Sequence, residues 1–330
     1  MSKKHIYLVD TKLICYYLFQ RGSSITGMYD KIAQLLYTLP KGEIYLGWDI
    51  GKSSYRLSIS PTYKGHRASL KEKLSDEDKE ALQKFNDDYL KLAELSDLLP
   101  VYNLKVDGVE CDDMCSIIAK QFENKADYQI YLLTADMDWI HSVIETNNVA
   151  IIDVYNGGTV IDREIAKETY NLDTRRKFTV LKSILGDKSD NIKFCHNLGP
   201  IKARELFDLI YKDKSDPSDD EIIAKIDKYL EKKEADRLAK NRKLSITVHT
   251  HHIDMGRLSA REAFLANMAI ADPFTDTSSF SEEQLDAFNN CLSRKLPDNV
   301  LFSDILHNSI DKLGYALQFG HKASKVFKVL

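Results

Sequence analysis

The sequence predicts an α/β fold: a mostly parallel central sheet with helices on both faces, followed by an all-helical second half. Two patterns carry this expectation. Short β-rich runs at 6–9, 43–48, 129–133 and 149–153 alternate with stretches of helical periodicity, and strands that alternate with helices form parallel sheets covered on both sides. From about residue 163 onward the apolar spacing is helical almost throughout.

Each element has a local reason. Thr26 suits the N-cap of a helix over 26–39, with Met28, Ile32, Leu35, Leu36 and Leu39 on one face. Residues 111–122 repeat the pattern with Met114, Ile117, Ile118 and Phe122. The polar segment 51–74, with Pro61 and Gly65, interrupts this rhythm and is expected to be a lid or binding loop. An amphipathic helix over 76–98 follows, with Leu82, Phe85, Tyr89, Leu92 and Leu95 spaced by three and four. Further helices are expected at 163–170, 175–185, 200–211, 221–230 and 232–243. A polar loop is expected at 212–220, an extended piece at 244–248, and helices again from 259. The apolar and basic segment 310–330 is expected to complete the core as a surface helix or to dock a partner.

Composition narrows the function classes. The chain has 330 residues, 43% of them hydrophobic and 29% charged, which suits about two folded domains. A net charge of −4 excludes binding by bulk positive charge but not a local basic footprint. Five cysteines without a CxxC pair argue against a disulfide framework or a thiolate zinc site and for a reducing compartment. No apolar run is long enough to span a membrane. Asp10 and Lys12 break the N-terminal apolar stretch, so a cytoplasmic protein without a secretory signal is expected.

Acidic residues sit where α/β enzymes bind ligands, just past the carboxyl ends of strands. Asp10 ends the first run, Asp49 follows the second, and Asp136 and Asp138 follow the third. Glu110, Asp112 and Asp113 open the helix at 111, and Asp187 and Asp190 follow the helix at 175–185. Any one alone reads as a surface charge or a helix cap, and Asp112 would favour a helix dipole in any case. Brought together, they would repel one another unless cations neutralised them. Hard oxygen donors favour Mg²⁺, with Mn²⁺ able to substitute. All-carboxylate sites of this kind hold two metals for displacement at phosphorus.

Basic residues are clustered as well. Residues 52–73 carry six Lys/Arg against one acid, with Tyr55, Tyr63 and His66 interleaved. Lys52, Arg56, Tyr63 and His66 are therefore candidate DNA contacts, the cations for phosphates and Tyr63 for stacking on an unpaired base. Residues 171–214 carry ten Lys/Arg against six acids. Within them Lys193, Asn197, Gly199, Lys202 and Arg204 are candidate contacts, Gly199 being free to take a positive φ ahead of Pro200 at a helix start. The run from His249 to His252 has no partner cluster that would make it a metal site.

These motifs resemble those of the 5′ nuclease/flap endonuclease superfamily. The matching segments are LVD at 8–10, DIGKSSYR at 49–56, YKGHR at 63–67, GVECDD at 108–113, TADMDW at 134–139 and ILGDKSDNI at 184–192. The resemblance implies a PIN-like core over 1–165, with a helical arch inserted at 52–98. It further implies a helix-three-turn-helix duplex-binding region at 166–258 and a C-terminal helical extension at 259–330. Asp10, Asp49, Glu110, Asp112 and Asp113 would hold one metal ion, and Asp136, Asp138, Asp187 and Asp190 a second. Lys64 and Arg67 would act on the scissile phosphate. The family often binds K⁺ on the carbonyls of the helix-three-turn-helix turn. Here Phe194 stands where the family has glycine, which weighs against that ion. The implied activity is Mg²⁺-dependent cleavage of 5′-flapped or nicked duplex DNA, and of RNA primers in RNA–DNA hybrids, by a monomer. A single-stranded-DNA-binding protein is the implied partner. The rival readings are a PIN-like or Toprim-type metal-dependent enzyme and a non-catalytic, structure-specific DNA-binding protein on the same scaffold.

Overall fold

The computed structural model describes residues 3–25, 27–29, 31–32, 39–156, 158–187, 190–192, 198–239 and 260–296. Among them is a six-stranded sheet with the order β3-β2-β1-β4-β5-β6. Its strands are β1 (Lys4–Asp10), β2 (Gly42–Gly47), β3 (Tyr102–Leu104), β4 (Tyr128–Thr134), β5 (Val149–Asp153) and β6 (Thr159–Ile161). The pairs are parallel except β5 with β6, which is antiparallel. β1 is central, and Ile6, Tyr7, Leu8 and Val9 are all buried, which is why this run is apolar without alternation. From β1 the chain builds β2 and β3 on one side and β4 and β5 on the other, so the topological switch point lies between β1 and β4.

The residues fall into two compact units, Met1–Ser53 with Leu74–Asn171 and Phe274–Leu330, and Ser54–Lys73 with Leu172–Pro273. The first unit holds the sheet with α1 (Thr11–Gln20), α4 (Asp76–Leu95), α5 (Cys111–Phe122), α6 (Ile140–Val143), α7 (Arg163–Tyr170) and α12 (Glu282–Ser293). The described residues of the segment expected as a helix at 26–39 are helical up to Ile32, and Met28 and Ile32 join the core with Ile14, Trp48, Phe85, Tyr89 and Leu92. α4 starts at Ser75, whose side chain accepts from the Asp78 N–H, and carries three acids in its first turn, the sign that favours a helix N-terminus. Its apolar stripe lies in the sheet's core. α5 packs against β1, β2 and β4 and buries Met114, Ile117 and Ile118.

The second unit contains α2 (Ser54–Ile59), α3 (His66–Glu72), α8 (Arg175–Leu185), α9 (Pro200–Tyr211), α10 (Asp219–Ala239) and α11 (Ala260–Ala271). The polar segment expected as a loop at 51–74 thus holds two short helices. Around it Tyr63, Ile192, Ile270 and Ala271 form a core with Leu57 and Ile59. Two helices were expected at 221–230 and 232–243. The structure has the single helix α10, because nothing between those runs breaks a helix. β3 and β6, of three residues each, are too short to show a period. Residues 244–252 and 310–330 lie outside the described residues.

The close approach of α5 to β2 depends on Gly47, where a Cβ would overlap the Cys111 Sγ. Gly47→Ala is expected to destabilise the protein by about 1–3 kcal/mol through overpacking. Adding Cys111→Ala should recover most of that loss, and urea unfolding of both variants checks it.

Candidate metal centre

In the first unit the carboxylates lie at the carboxyl edge of the sheet, and Asp10, Asp49, Asp112, Asp113 and Asp136 each accept a backbone N–H. Asp10 ends β1, and its Oδ1 accepts the Leu13 N–H at 3.0 Å, which caps α1. Its Oδ2 accepts the Thr134 hydroxyl at 3.2 Å. Thr134 is fully buried at the end of β4, and its Oγ1 accepts the Asp136 N–H at 3.0 Å. Asp136 in turn accepts the Asp138 N–H at 2.9 Å and caps the 3-10 turn Met137–Trp139. One threonine thus ties the acids that flank the switch point.

Asp49 follows β2 and accepts the Cys111 N–H at 2.7 Å. Its own N–H donates to the Tyr89 hydroxyl at 3.0 Å, and that hydroxyl also pairs with Thr11 Oγ1 at 3.0 Å. Thr11 donates to the Gly47 carbonyl at 2.5 Å. Core helix α4 therefore fixes the turn that presents Asp49. Lys12 Nζ lies 4.0 Å from the Asp49 carboxylate. Glu110, the N-cap of α5, and Asp112 and Asp113 in its first turn bring one carboxylate oxygen each to within 4.8 Å of one another. Glu110 and Asp113 are buried, and Asp113 accepts the Phe274 N–H at 3.1 Å.

The electrostatic consequence is direct. Burial, with Asp49 and Asp136 adding like charge, pushes the Asp10 carboxyl up to about 7. Burial also raises Asp49, opposed by Lys12 and the Cys111 N–H and reinforced by Asp112 and Glu110. The donor set fits a hard divalent cation, because these ligands are carboxylate oxygens. Cys111 is not a soft ligand, since its hydrogen bond to Cys115 and its burial hold the thiol protonated.

In the second unit Asp187 and Ile192 exchange both backbone hydrogen bonds, at 2.9 and 2.7 Å, and the Asp190 N–H approaches Asp187 Oδ1 at 3.4 Å. Lys182 pairs with Asp187 at 3.2 Å. Asp190 lies 3.6 Å from both Lys64 Nζ and an Arg67 guanidinium nitrogen, and Tyr63 donates to it at 3.4 Å. The Lys64 N–H donates to the Asp190 carbonyl at 3.1 Å and holds Lys64 at φ 52°, a left-handed conformation costing roughly 1–2 kcal/mol.

Several expected DNA contacts are placed otherwise. Tyr63 is 2% exposed and Arg56 3%. Arg56 donates to the Ile270 carbonyl at 2.9 Å, and Tyr63 is a core ring whose hydroxyl serves Asp190. Neither is open for a phosphate or for stacking on a base. Gly199 has φ −71°, which any residue adopts, so the positive φ expected there is absent. Lys52, Gly199 and Lys202 are exposed, and Arg204 pairs with Asp208 at 3.2 Å. Lys193, Asn197 and the side chain of His66 lie outside the described residues. Residue-type reasoning missed Thr134, Tyr89 and Thr11, which are neutral supports, and Lys182, which pairs with Asp187. Only Thr134 had a signal, its place in the TADMDW run.

A family model described as "5′-3′ exonuclease, N-terminal resolvase-like domain" matches residues 6–171. The chain is 34% identical over 205 residues to a flap endonuclease of Escherichia phage T5, covering 60% of this chain and 67% of that protein. It is 26% identical over 215 residues to a 5′-3′ exonuclease of Buchnera aphidicola, covering 60% and 68%. It is also 27% identical over 215 residues to a thermostable DNA polymerase I of Thermus thermophilus, covering 62% of this chain and 24% of that protein. Among solved structures, a phage T5 flap endonuclease pseudo-enzyme–product complex with DNA and metal ions superposes with a TM-score of 0.60 at 18% identity, over 93% of this chain and 98% of that one. That likeness supports the α/β fold. Among the described residues no helix is long and apolar enough to cross a membrane.

Asp10 moves from an ordinary value of 3.8 to about 7. Between those pH values the native state keeps a proton that the unfolded chain has released, so stability falls as pH rises. In EDTA, the melting temperature of Asp10→Asn relative to the parent is expected to climb from pH 5 to pH 8. A pH-independent difference would contradict the crowding of this carboxyl.

Proposed function

Because this chain belongs to the 5′-3′ exonuclease family, matched over its N-terminal resolvase-like domain, we propose that it is a structure-specific 5′ nuclease that hydrolyses phosphodiesters of 5′-flapped or nicked duplex DNA. The observation that carries this reading is the crowding of Asp10, Asp49, Glu110, Asp112 and Asp113 past the carboxyl ends of parallel strands, Asp10 being raised first by burial and then by Asp49, and Asp49 by burial and then by Asp112 and Glu110. These residues would hold one divalent ion. Asp136, Asp138, Asp187 and Asp190 would serve a second, an assignment that rests on the family's motif order. Mg²⁺ is the proposed ion, and Mn²⁺ would substitute. When bound, such ions stabilise the negative charge that develops on the phosphoryl oxygens.

The chain's own groups have separate tasks. Lys64 and Arg67 are the groups proposed to meet the non-bridging oxygens of the scissile phosphate, adding fixed positive charge where the transition state gains negative charge. Lys52, Lys202 and Arg204 would contact phosphates of the duplex without reading bases. RNA–DNA hybrids offer the same phosphates and are proposed as a second substrate. A single-stranded-DNA-binding protein is the proposed partner of the C-terminal segment.

The test is cleavage of an end-labelled double-flap substrate. The parent should cut in Mg²⁺ and not in EDTA, whereas Asp136→Asn and Asp190→Asn should lose cleavage in Mg²⁺ but retain DNA binding. Lys64→Ala should lower turnover by about 100-fold or more, as the loss of a transition-state charge contact does, with the dissociation constant nearly unchanged. Full cleavage by either carboxylate variant would contradict the two-metal reading.

A further inference from the structure

His141, in α6, is buried at 2% exposure and is not needed by the mechanism above. Its Nδ1 lies 2.5 Å from the Asp138 carbonyl oxygen. A carbonyl only accepts, so Nδ1 carries the proton. The hydroxyls of Ser142 and Ser116, which can donate or accept, lie 2.9 and 3.2 Å from Nε2. The partners give the geometry its meaning. Asp138 belongs to the turn that also carries Asp136. Ser116 belongs to α5, whose N-terminus carries Glu110, Asp112 and Asp113. One imidazole thus bridges two carboxylate-bearing elements of the first unit.

A fixed spacing between those elements matters because like charges push them apart. A buried ring with partners on both nitrogens resists that push better than apolar packing, which lacks direction. We propose that His141 is a positioning residue of the metal centre, setting the distance between the Asp136/Asp138 turn and the acidic first turn of α5. This rests on the metal-dependent reading given above. Removing an outer hydrogen bond of this kind typically costs 10–100-fold in metal affinity.

Mn²⁺ binding to the full chain, measured by titration calorimetry without DNA, tests the proposal. The parent should bind Mn²⁺, and His141→Leu should bind about 10–100-fold more weakly while keeping the parent's far-ultraviolet circular dichroism. His141→Gln, whose amide can donate to the Asp138 carbonyl and accept from Ser116, should recover to within about threefold of the parent, on the same outer-shell logic. Rescue by Gln would not be expected if the ring only filled space. If His141→Leu does not fold, Ser116→Ala removes one hydroxyl alone and should still weaken Mn²⁺ binding. Parent-like affinity in His141→Leu or Ser116→Ala, or a Gln variant as weak as Leu, would overturn the positioning role. A parent that binds no Mn²⁺ would instead sink the metal reading, and the proposal with it.

Discussion

Mutual repulsion among carboxylates is the constraint around which the first unit is organised. Parallel strands end side by side, and acids placed there converge whether or not their charges agree. The structure restrains them with short-range donors: the Leu13 N–H on Asp10, the Cys111 N–H on Asp49, the Asp138 N–H on Asp136 and the Phe274 N–H on Asp113. These bonds hold negative charge where electrostatics alone would disperse it, and Asp10, raised first by burial and then by the charge of Asp49, records the residual cost. A divalent cation would turn that cost into affinity, because groups crowded in its absence would become ligands in its presence.

The supports behind the carboxylates are as specific as the carboxylates themselves. Tyr89 comes from the core face of α4 yet ends at the Asp49 backbone, so helix packing and carboxylate placement are one event. Thr134 and His141 do the same for the turn after β4. In the second unit Asp190 sits among Lys64, Arg67 and Tyr63, so an acid and the cations proposed to act on phosphate lie side by side. The strained Lys64 backbone, tied to the Asp190 carbonyl, belongs to this cluster, consistent with strain being kept where function needs a particular direction.

Much of this was legible in residue order. β1, β2, β4 and β5 showed as apolar runs because strands buried on both faces have to be apolar, and α5 and α8 matched their expected bounds because their periodicity is strong. β3 and β6 did not show, since three residues carry no period. The carboxylates stood out because acids directly after strand ends are chemically conspicuous. Tyr63 and Arg56 were misread for the opposite reason. A polar, basic run suggests a solvated loop, but their burial is decided by Ile192 and Ile270, more than a hundred positions away in the chain. Supports such as His141 carry no signature of their own and become visible only when their partners are placed.

The central claim is that these acids form a cation site and not merely a crowded edge. Anomalous diffraction from crystals grown with Mn²⁺ tests it most directly. A peak bordered by the carboxylate oxygens of Asp10, Asp49, Glu110, Asp112 and Asp113 is the expected result. Side chains in the same positions with no anomalous density between them, at millimolar Mn²⁺, would contradict the account.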